Sequence, residues 1–406
     1  MSNLATIEEA FEFVRNGVSI KQLDGASGIP ITRIETIWNT TIDDERFGYA
    51  NIEDVEEYKN HLLEDGDILM SHINSPKHLG KCAIYRNKPE VLIHGMNLLN
   101  LRPKKNILVP QFAFYYLSSN SFKEAITKIS NQSVNQASFS TTNLKKLKIP
   151  LPPLAEQQKI AAILDAADSL RQKDQQLVER YSALSQSLFL EMFGDPVTNL
   201  MGWDFSKISN LISDKTINGF FAKKEHYDEN GTPIVWISDF IDKVFVATEG
   251  LKKVNLSTND ISKYKLRYGD ALFCRSSLTV EGIGKCSIVP KLIHEEIVFE
   301  CHIIKVSFGN SIIPEYFRFL SNTAYFRGEV MKSAKTSTMT TISQEGITNI
   351  FIPVPPVELQ NQFAERIQLI EAQKQQAQRS LEKSEALFNS LLQRAFTGEL
   401  TAKMAA

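Results

Sequence analysis

Apolar residues recur in alternating steps of three and four along two long stretches of the chain. From Leu154 to Phe193 the stripe runs Ile163, Ala167, Leu170, Leu177, Tyr181, Leu184 and Leu188, with Asp174 in its one polar slot. The second stripe runs Ile367, Ile370, Ala377, Leu381, Phe388, Leu391 and Ala395, interrupted by Lys374 and Ser384. Neither stretch contains glycine or proline, and the intervening positions are mostly Gln, Glu, Lys and Arg. This rhythm predicts two long helices of the coiled-coil type. Each would be roughly 60 Å long at about 1.5 Å per residue. One amphipathic helix cannot bury its stripe alone, so the two are expected to pack on each other. An antiparallel pair is required if globular parts sit at opposite ends. A plain helical stalk is the simpler alternative, but it would not need a globular part before each helix.

Strand-rich stretches precede each helix. Asp67-Ile68-Leu69-Met70 and Lys81-Cys82-Ala83-Ile84-Tyr85 read as neighbouring strands, as do Asp270-Ala271-Leu272-Phe273 and Lys285-Cys286-Ser287-Ile288-Val289. Aromatic helices are expected from Phe112 to Phe122 and from Tyr316 to Phe326, with most of their rings in the core. The two halves also match in register. Gly66-Asp67 returns as Gly269-Asp270, and Ile149-Pro150-Leu151-Pro152-Pro153 returns as Ile352-Pro353-Val354-Pro355-Pro356, both at an offset of 203 residues. Gly28-Ile29-Pro30-Ile31 and Gly231-Thr232-Pro233-Ile234 keep that offset, and Gly80-Lys81-Cys82 matches Gly284-Lys285-Cys286 one residue further on. Such a duplication predicts a pseudo-twofold internal repeat. The proline clusters mark the junctions into the helices, where proline fixes an extended approach; a proline-recognition ligand is the alternative. Phe193-Gly194-Asp195-Pro196 and Phe396-Thr397-Gly398 read as helix stops.

Composition changes this picture little. The 406 residues, 43% of them hydrophobic, suffice for two cores. No apolar run approaches a membrane span, and Met1-Ser2-Asn3-Leu4-Ala5 does not resemble a secretory leader, so a cytoplasmic protein is expected. Cys82, Cys274, Cys286 and Cys301 lack CxxC spacing, which argues against zinc and for reduced, mostly buried thiols. A net charge of −2 argues against coating of nucleic acid by bulk electrostatics, yet leaves room for a basic cleft. The basic residues do cluster, at Arg102-Pro103-Lys104-Lys105, Lys145-Lys146-Leu147-Lys148, Lys223-Lys224 and Lys252-Lys253.

Catalytic motifs are missing. Gly282-Ile283-Gly284-Lys285 resembles part of a phosphate loop, but Thr279 stands where its first glycine should be and Cys286 replaces the required Ser or Thr. No dinucleotide fingerprint, H-E-x-x-H, Gly-x-Ser-x-Gly or Asn-Pro-Pro-aromatic motif occurs. The seven histidines are scattered; His72 and His78 share a loop and read as surface or nucleic-acid contacts. What the two halves do share is polar, donor-rich loops at corresponding places. Amides, hydroxyls, Arg and Lys are the groups that read base edges and phosphates. The candidate DNA-binding residues are therefore Asn74, Lys77, His78, Lys81, Asn131, Gln132 and Gln136 in the first half. In the second half they are Arg275, Ser276, Thr279, Lys285, Lys335, Thr336 and Thr338.

The joint Ile149-Pro-Leu-Pro-Pro-Leu-Ala-Glu-Gln-Gln-Lys-Ile160-Ala-Ala-Ile-Leu-Asp165, set in this alternation of variable part and helix, resembles the specificity (S) subunits of type I restriction–modification enzymes. The resemblance covers essentially the whole chain. It implies an α+β chain of two tandem mixed α/β target recognition domains, each followed by a long helix, the helices forming an antiparallel coiled coil. The implied boundaries are 1–150 and 196–352 for the domains, and 151–195 and 353–400 for the spacer helices. Further implications are a bipartite, asymmetric site in double-stranded DNA, a coiled coil that sets the spacer, and docking of two modification (methyltransferase) subunits with restriction subunits beside them. S-adenosylmethionine, ATP and Mg would be used by those partners; no cofactor or metal is expected on this chain, and no catalysis of its own. Two departures stand out: Leu359 replaces the counterpart of Glu156, and Trp203 opens the second unit without a counterpart in the first. A coiled-coil scaffold that binds peptides and a DNA-modifying enzyme with an unrecognised site are the alternatives.

Overall fold

The computed structural model describes residues 4–132, 136–241, 243, 245–291, 296–336, 339–397 and 399–402. The fold is mixed α/β, with eleven α-helices among the described residues. No helix among them is long and apolar enough to cross a membrane. The chain forms two compact units, Met1–Gln175 with Arg379–Ala406, and Gln176–Gln378.

Unit 1 is organised by a four-stranded antiparallel sheet in the order Phe11–Asn16, Leu98–Pro103, Ile68–Ser71, Cys82–Ile84. The strand Ile68–Ser71 is buried throughout because both faces are covered. Ile68 and Met70 pack against Phe112, Leu117 and Phe122, whereas Leu69 faces Ile37, Tyr85 and Leu92. Unit 2 has a sheet of the same order, Ile217–Asn218, Ile303–Val306, Ala271–Cys274, Cys286–Ile288. Ala271 and Phe273 face one cluster and Leu272 and Cys274 another. In both units a two-stranded sheet joins the start of the domain to the strand that leads into the long helix: Leu4–Thr6 with Lys148–Pro150, and Phe205–Lys207 with Phe351–Pro353.

The Gly-Asp pairs have a local job. Gly66 and Gly269 adopt φ of +93° and +86°, and a Cβ there would meet Pro110 at 3.0 Å or Pro314 at 2.9 Å, the first residue of the following helix. Asp67 then accepts two bonds from Arg102 (2.8 and 2.7 Å) and one each from Asn100 and the Glu64 amide. Arg102, one of the clustered basic residues, is thus structural. Asp270 takes the Arg267 amide at 2.8 Å and the Ser307 hydroxyl at 2.5 Å.

The aromatic helices differ from expectation. Each is two helices, Pro110–Ser118 and Asn120–Ile129 in unit 1, and Pro314–Leu320 and Ala324–Ser333 in unit 2. The breaks fall at Ser119 and Thr323, whose hydroxyls accept the amides of Phe122 and Phe326, each at 3.3 Å. These N-caps end one helix and begin the next. The rings Phe112, Tyr115, Phe122, Tyr316, Phe317 and Phe326 lie in the core.

The long helices run Leu154–Phe193 and Val357–Thr397. In each unit their segments run antiparallel. Arg171 lies over Phe388 while Asp174 accepts a bond from Ser380 at 3.1 Å in unit 1. Ser185 reaches Glu371 while Phe189 stacks edge-on against Phe363 in unit 2. The buried stripe of the second helix includes Ile367, Ala377, Leu381 and Ala395, as the periodicity predicts. That of the first helix follows the predicted stripe only in part, at Ala167 and Asp174. Leu170, Leu177 and Leu184 are 46%, 40% and 50% exposed. From Ala167, half-buried Val178 and buried Phe189 follow at steps of eleven and point inward in place of those leucines. An eleven-residue repeat tracks a nearly straight helix, whereas a strict seven-residue repeat drifts by about 20° per heptad. The polar Asp174 and Ser185 are admitted to the inner face because Ser380 and Glu371 give them partners.

His94 shows how tightly unit 1 is closed. It is fully buried, its Nε2 meets the Leu98 carbonyl at 2.9 Å, and its Nδ1 has no partner. Burial pushes it from 6.5 down to about 4. A base kept neutral in the fold contributes stability above its unfolded value, and that stability drains as pH falls through the folded value. Unit 1 should therefore lose about 3 kcal/mol as pH falls from 6.5 through 4. Urea midpoints measured across that range should show the loss, and His94→Gln should flatten it.

Candidate nucleic-acid interface

Besides a three-stranded sheet found in unit 2 (Lys252–Val254, Tyr227–Val235, Val298–Phe299), each unit carries a small three-stranded sheet at the end of its core sheet. In unit 1 the strand Ala137–Ser138 lies between Ile73–Asn74 and Asn131–Gln132. In unit 2 Thr340–Thr341 lies between Ser276–Ser277 and Lys335–Thr336. The order is the same and the side chains differ. These sheets gather much of the predicted site: Asn74 and Gln132 flank Ala137, and Ser276 and Lys335 flank Thr341.

The remaining unit 1 candidates cluster beside their sheet. Asn74 is half-buried; its amide lies 3.4 Å from the Ser71 hydroxyl and its Oδ1 accepts the Ser75 amide at 2.8 Å. Lys77 and His78 form the single 3-10 turn Pro76–His78 that follows. The turn is closed by Ser71, whose hydroxyl donates to the His78 carbonyl at 3.1 Å and whose amide donates to the Lys81 carbonyl at 2.9 Å. His78 is held below its ordinary value, first by desolvation and then by the charges of Lys81 and Lys77. Lys77, His78 and Lys81 thus form one positive corner. Asn131 and Gln136 are exposed.

In unit 2, Arg275 is half-buried and fixed from both sides. Its amide donates to the His302 carbonyl at 2.8 Å, its Nη1 to the Cys301 carbonyl at 3.3 Å, and its own carbonyl accepts the Ile342 amide at 3.0 Å. Thr279 is exposed and its amide donates to the Ser277 hydroxyl at 3.2 Å. Lys285 closes the same loop through its carbonyl, which accepts the Cys274 amide at 2.9 Å. Lys335 is exposed, and Thr336 is in strand. Thr338 lies outside the described residues.

One expectation fails. His72 is not a surface residue: it is 8% exposed, packs edge-on against Phe139, and its pKa is lowered by burial. Its carbonyl accepts the Phe139 amide at 3.2 Å, as that of Arg275 accepts Ile342. His72 and Arg275 hold equivalent places, one inside and one half-exposed. Residue-type reasoning also passed over the central strands. Ser138 and exposed Thr341 lie between the chosen neighbours, and the offset of 203 would have found them. All four cysteines are free; Cys82, Cys274 and Cys286 are buried, and burial pushes the Cys82 thiol up to about 12.

Two units with core sheets of the same order and unlike polar sheets define the class: a mixed α/β protein of two similar units. A family model described as the type I restriction modification DNA specificity domain matches residues 3–180. A Methanocaldococcus jannaschii protein provisionally named the type I restriction enzyme MjaX specificity subunit is 30% identical over 98% of this chain and 93% of its own length. The type I restriction enzyme EcoKI specificity subunit of Escherichia coli is 26% identical over 92% of this chain and 83% of its own. Among solved structures, the type I restriction–modification S subunit from M. genitalium has the same fold, with a TM-score of 0.60 at 15% identity over 98% of this chain and 96% of that one. The chain belongs to the specificity subunits of type I restriction–modification enzymes.

Proposed function

We propose that this chain is the sequence-reading subunit of a type I restriction–modification complex, its two units serving as tandem target recognition domains for the halves of a bipartite site in double-stranded DNA. The observation that carries this reading is the pair of three-stranded sheets, equal in order and different in side chains. Two copies of one frame with different donors suit two unlike half-sites. Around each sheet, Lys and Arg are placed to hold phosphates while amides and hydroxyls address base edges. On this reading the two long helices form an antiparallel coiled coil that fixes the distance between half-sites and docks two methyltransferase subunits, with restriction subunits joining them. S-adenosylmethionine, ATP and Mg belong to those partners, and this chain performs no bond chemistry.

Arg275 gives the sharpest local test. A guanidinium fixed by the Cys301 carbonyl suits bidentate contact to guanine. Arg275→Ala should weaken binding of the target by about 1–3 kcal/mol and relax preference at one position. Lys77→Ala should instead weaken all sequences evenly and reduce the salt dependence. Competition binding of the partner-assembled complex to matched and single-substituted duplexes separates the two, and an unchanged preference in Arg275→Ala removes that residue from the readers. A second experiment addresses the helices. Equal insertions of matched turns in both should change the spacer of the methylated site; an unchanged spacer in a folded, active complex rejects the ruler.

A further inference from the structure

The turn that holds Arg275 has a chemistry of its own. Glu300, Cys301 and His302 follow one another where the chain enters the strand Ile303–Val306, and one ligand atom of each lies within 4.8 Å of the others. Glu300 Oε2 is 2.8 Å from His302 Nδ1, and Cys301 Sγ is 3.6 Å from the same nitrogen. The backbone is tied on every side: Glu300 N donates to Val235 O at 3.1 Å, Ile303 N to Glu300 O at 3.1 Å, and His302 N to Glu300 Oε2 at 2.9 Å. The Glu300 side chain is 2% exposed, yet its Oε1 has no hydrogen-bond partner among the described residues. A buried carboxylate oxygen without a donor is costly, which favours a positive charge against it. The imidazole opposite is 48% exposed, so the cluster is open on one side.

We infer that Glu300, Cys301 and His302 form a binding site for a divalent metal ion of the zinc class. Carboxylate, thiolate and imidazole are the donors that such an ion takes, at about 2.0–2.3 Å each, and three protein ligands leave a fourth position for solvent. Closing the observed separations onto one ion needs only side-chain adjustments, because the three residues share one turn. The Cys301 thiol gives up its proton on binding, and His302 binds through Nδ1 as the neutral tautomer with its proton on Nε2. The ion's two positive charges then balance Glu300 and the thiolate, and the buried carboxylate loses its deficit. The site is particular to unit 2. The equivalent turn of unit 1, placed by the pairing of Val18 with Gly95 and Phe220 with Glu300, is Gly95-Met96-Asn97 and offers none of these donors. A metal there would stiffen the carbonyls that hold Arg275, and its presence does not depend on what the chain reads.

The test uses the full chain stripped of metal. Cys301 is half-buried while the other three thiols are buried, so an alkylating reagent applied to the folded protein reports on it selectively. Zinc should slow Cys301 alkylation at least tenfold, mapped by peptide mass. Cobalt(II) should give a thiolate charge-transfer band that saturates at one ion per chain, is displaced by zinc, and vanishes in Cys301→Ser. His302→Ala, a half-exposed change that spares the core, should weaken cobalt binding at least tenfold. An alkylation rate indifferent to zinc overturns the site even if a variant fails to fold, and so does a cobalt band that survives in Cys301→Ser.

Discussion

Gln360→Leu should destabilise unit 2 by about 3–6 kcal/mol, the sum of three buried or half-buried backbone groups left without partners. The Gln360 side chain is fully buried. Its Oε1 accepts the Ile313 amide at 2.8 Å, and its Nε2 donates to the carbonyls of Ser311 at 3.0 Å and Pro355 at 2.8 Å. One amide thus ties the start of the long helix to the segment that opens the aromatic helix Pro314–Leu320. Leucine matches the volume and removes all three bonds. Gln157 does the same in unit 1, taking the Val109 amide and donating to the carbonyls of Ile107 and Pro152, each at 2.8 Å. Gln157→Leu should therefore cost a similar amount. Denaturant midpoints with unchanged slopes check both. A loss below about 1 kcal/mol in either would mean that the backbone groups find other partners.

Glu371→Ala is the second large effect. Arg318, on the helix Pro314–Leu320, is 8% exposed and reaches Glu371 on the second long helix at 3.4 Å, where the Ser185 hydroxyl also approaches. Burial pulls the Arg318 pKa down, while Glu371 and, more weakly, Glu315 hold it up. Removing Glu371 strands a buried guanidinium, which costs about 3–5 kcal/mol. Replacing both partners, as in Arg318→Met with Glu371→Leu, should recover most of that loss, because desolvation of two charges then disappears with their attraction. A double variant as unstable as Glu371→Ala would contradict this account of the pair.

What was legible in the sequence was whatever repeats in register. Gly66 and Gly269, the proline junctions and the strands either side of them are fixed by local backbone demands, and these leave marks at constant spacing. The joint motif was legible as a marker, but its meaning was not. Leu359 appeared to break the second copy, whereas the working residue is Gln360, still matched to Gln157. The inner face of Leu154–Phe193 was legible in part: Ala167 and Asp174 stand where the stripe put them, but Leu170, Leu177 and Leu184 were preferred to Ser185, whose partner Glu371 lies nearly two hundred residues away. No local pattern announces such a partner. His72 was misplaced for a related reason: the site was chosen by side-chain type, and type does not say which way an equivalent position faces. Asn74, Lys77, His78 and Lys81 lie together because they share one tight turn. Ser138 and Thr341, between the chosen residues in space, were not named because short central strands carry too few residues to show a period.

The measurement that bears most directly on the proposed role is methylome sequencing of a methylation-free host expressing this chain with its neighbouring methyltransferase, beside hosts expressing each alone. Methyladenine at a split, asymmetric motif only when both are present is the predicted result. A soluble, co-purifying complex that leaves no motif would contradict it and favour a coiled-coil scaffold, and methylation by the methyltransferase alone at the same motif would remove the reading role from this chain.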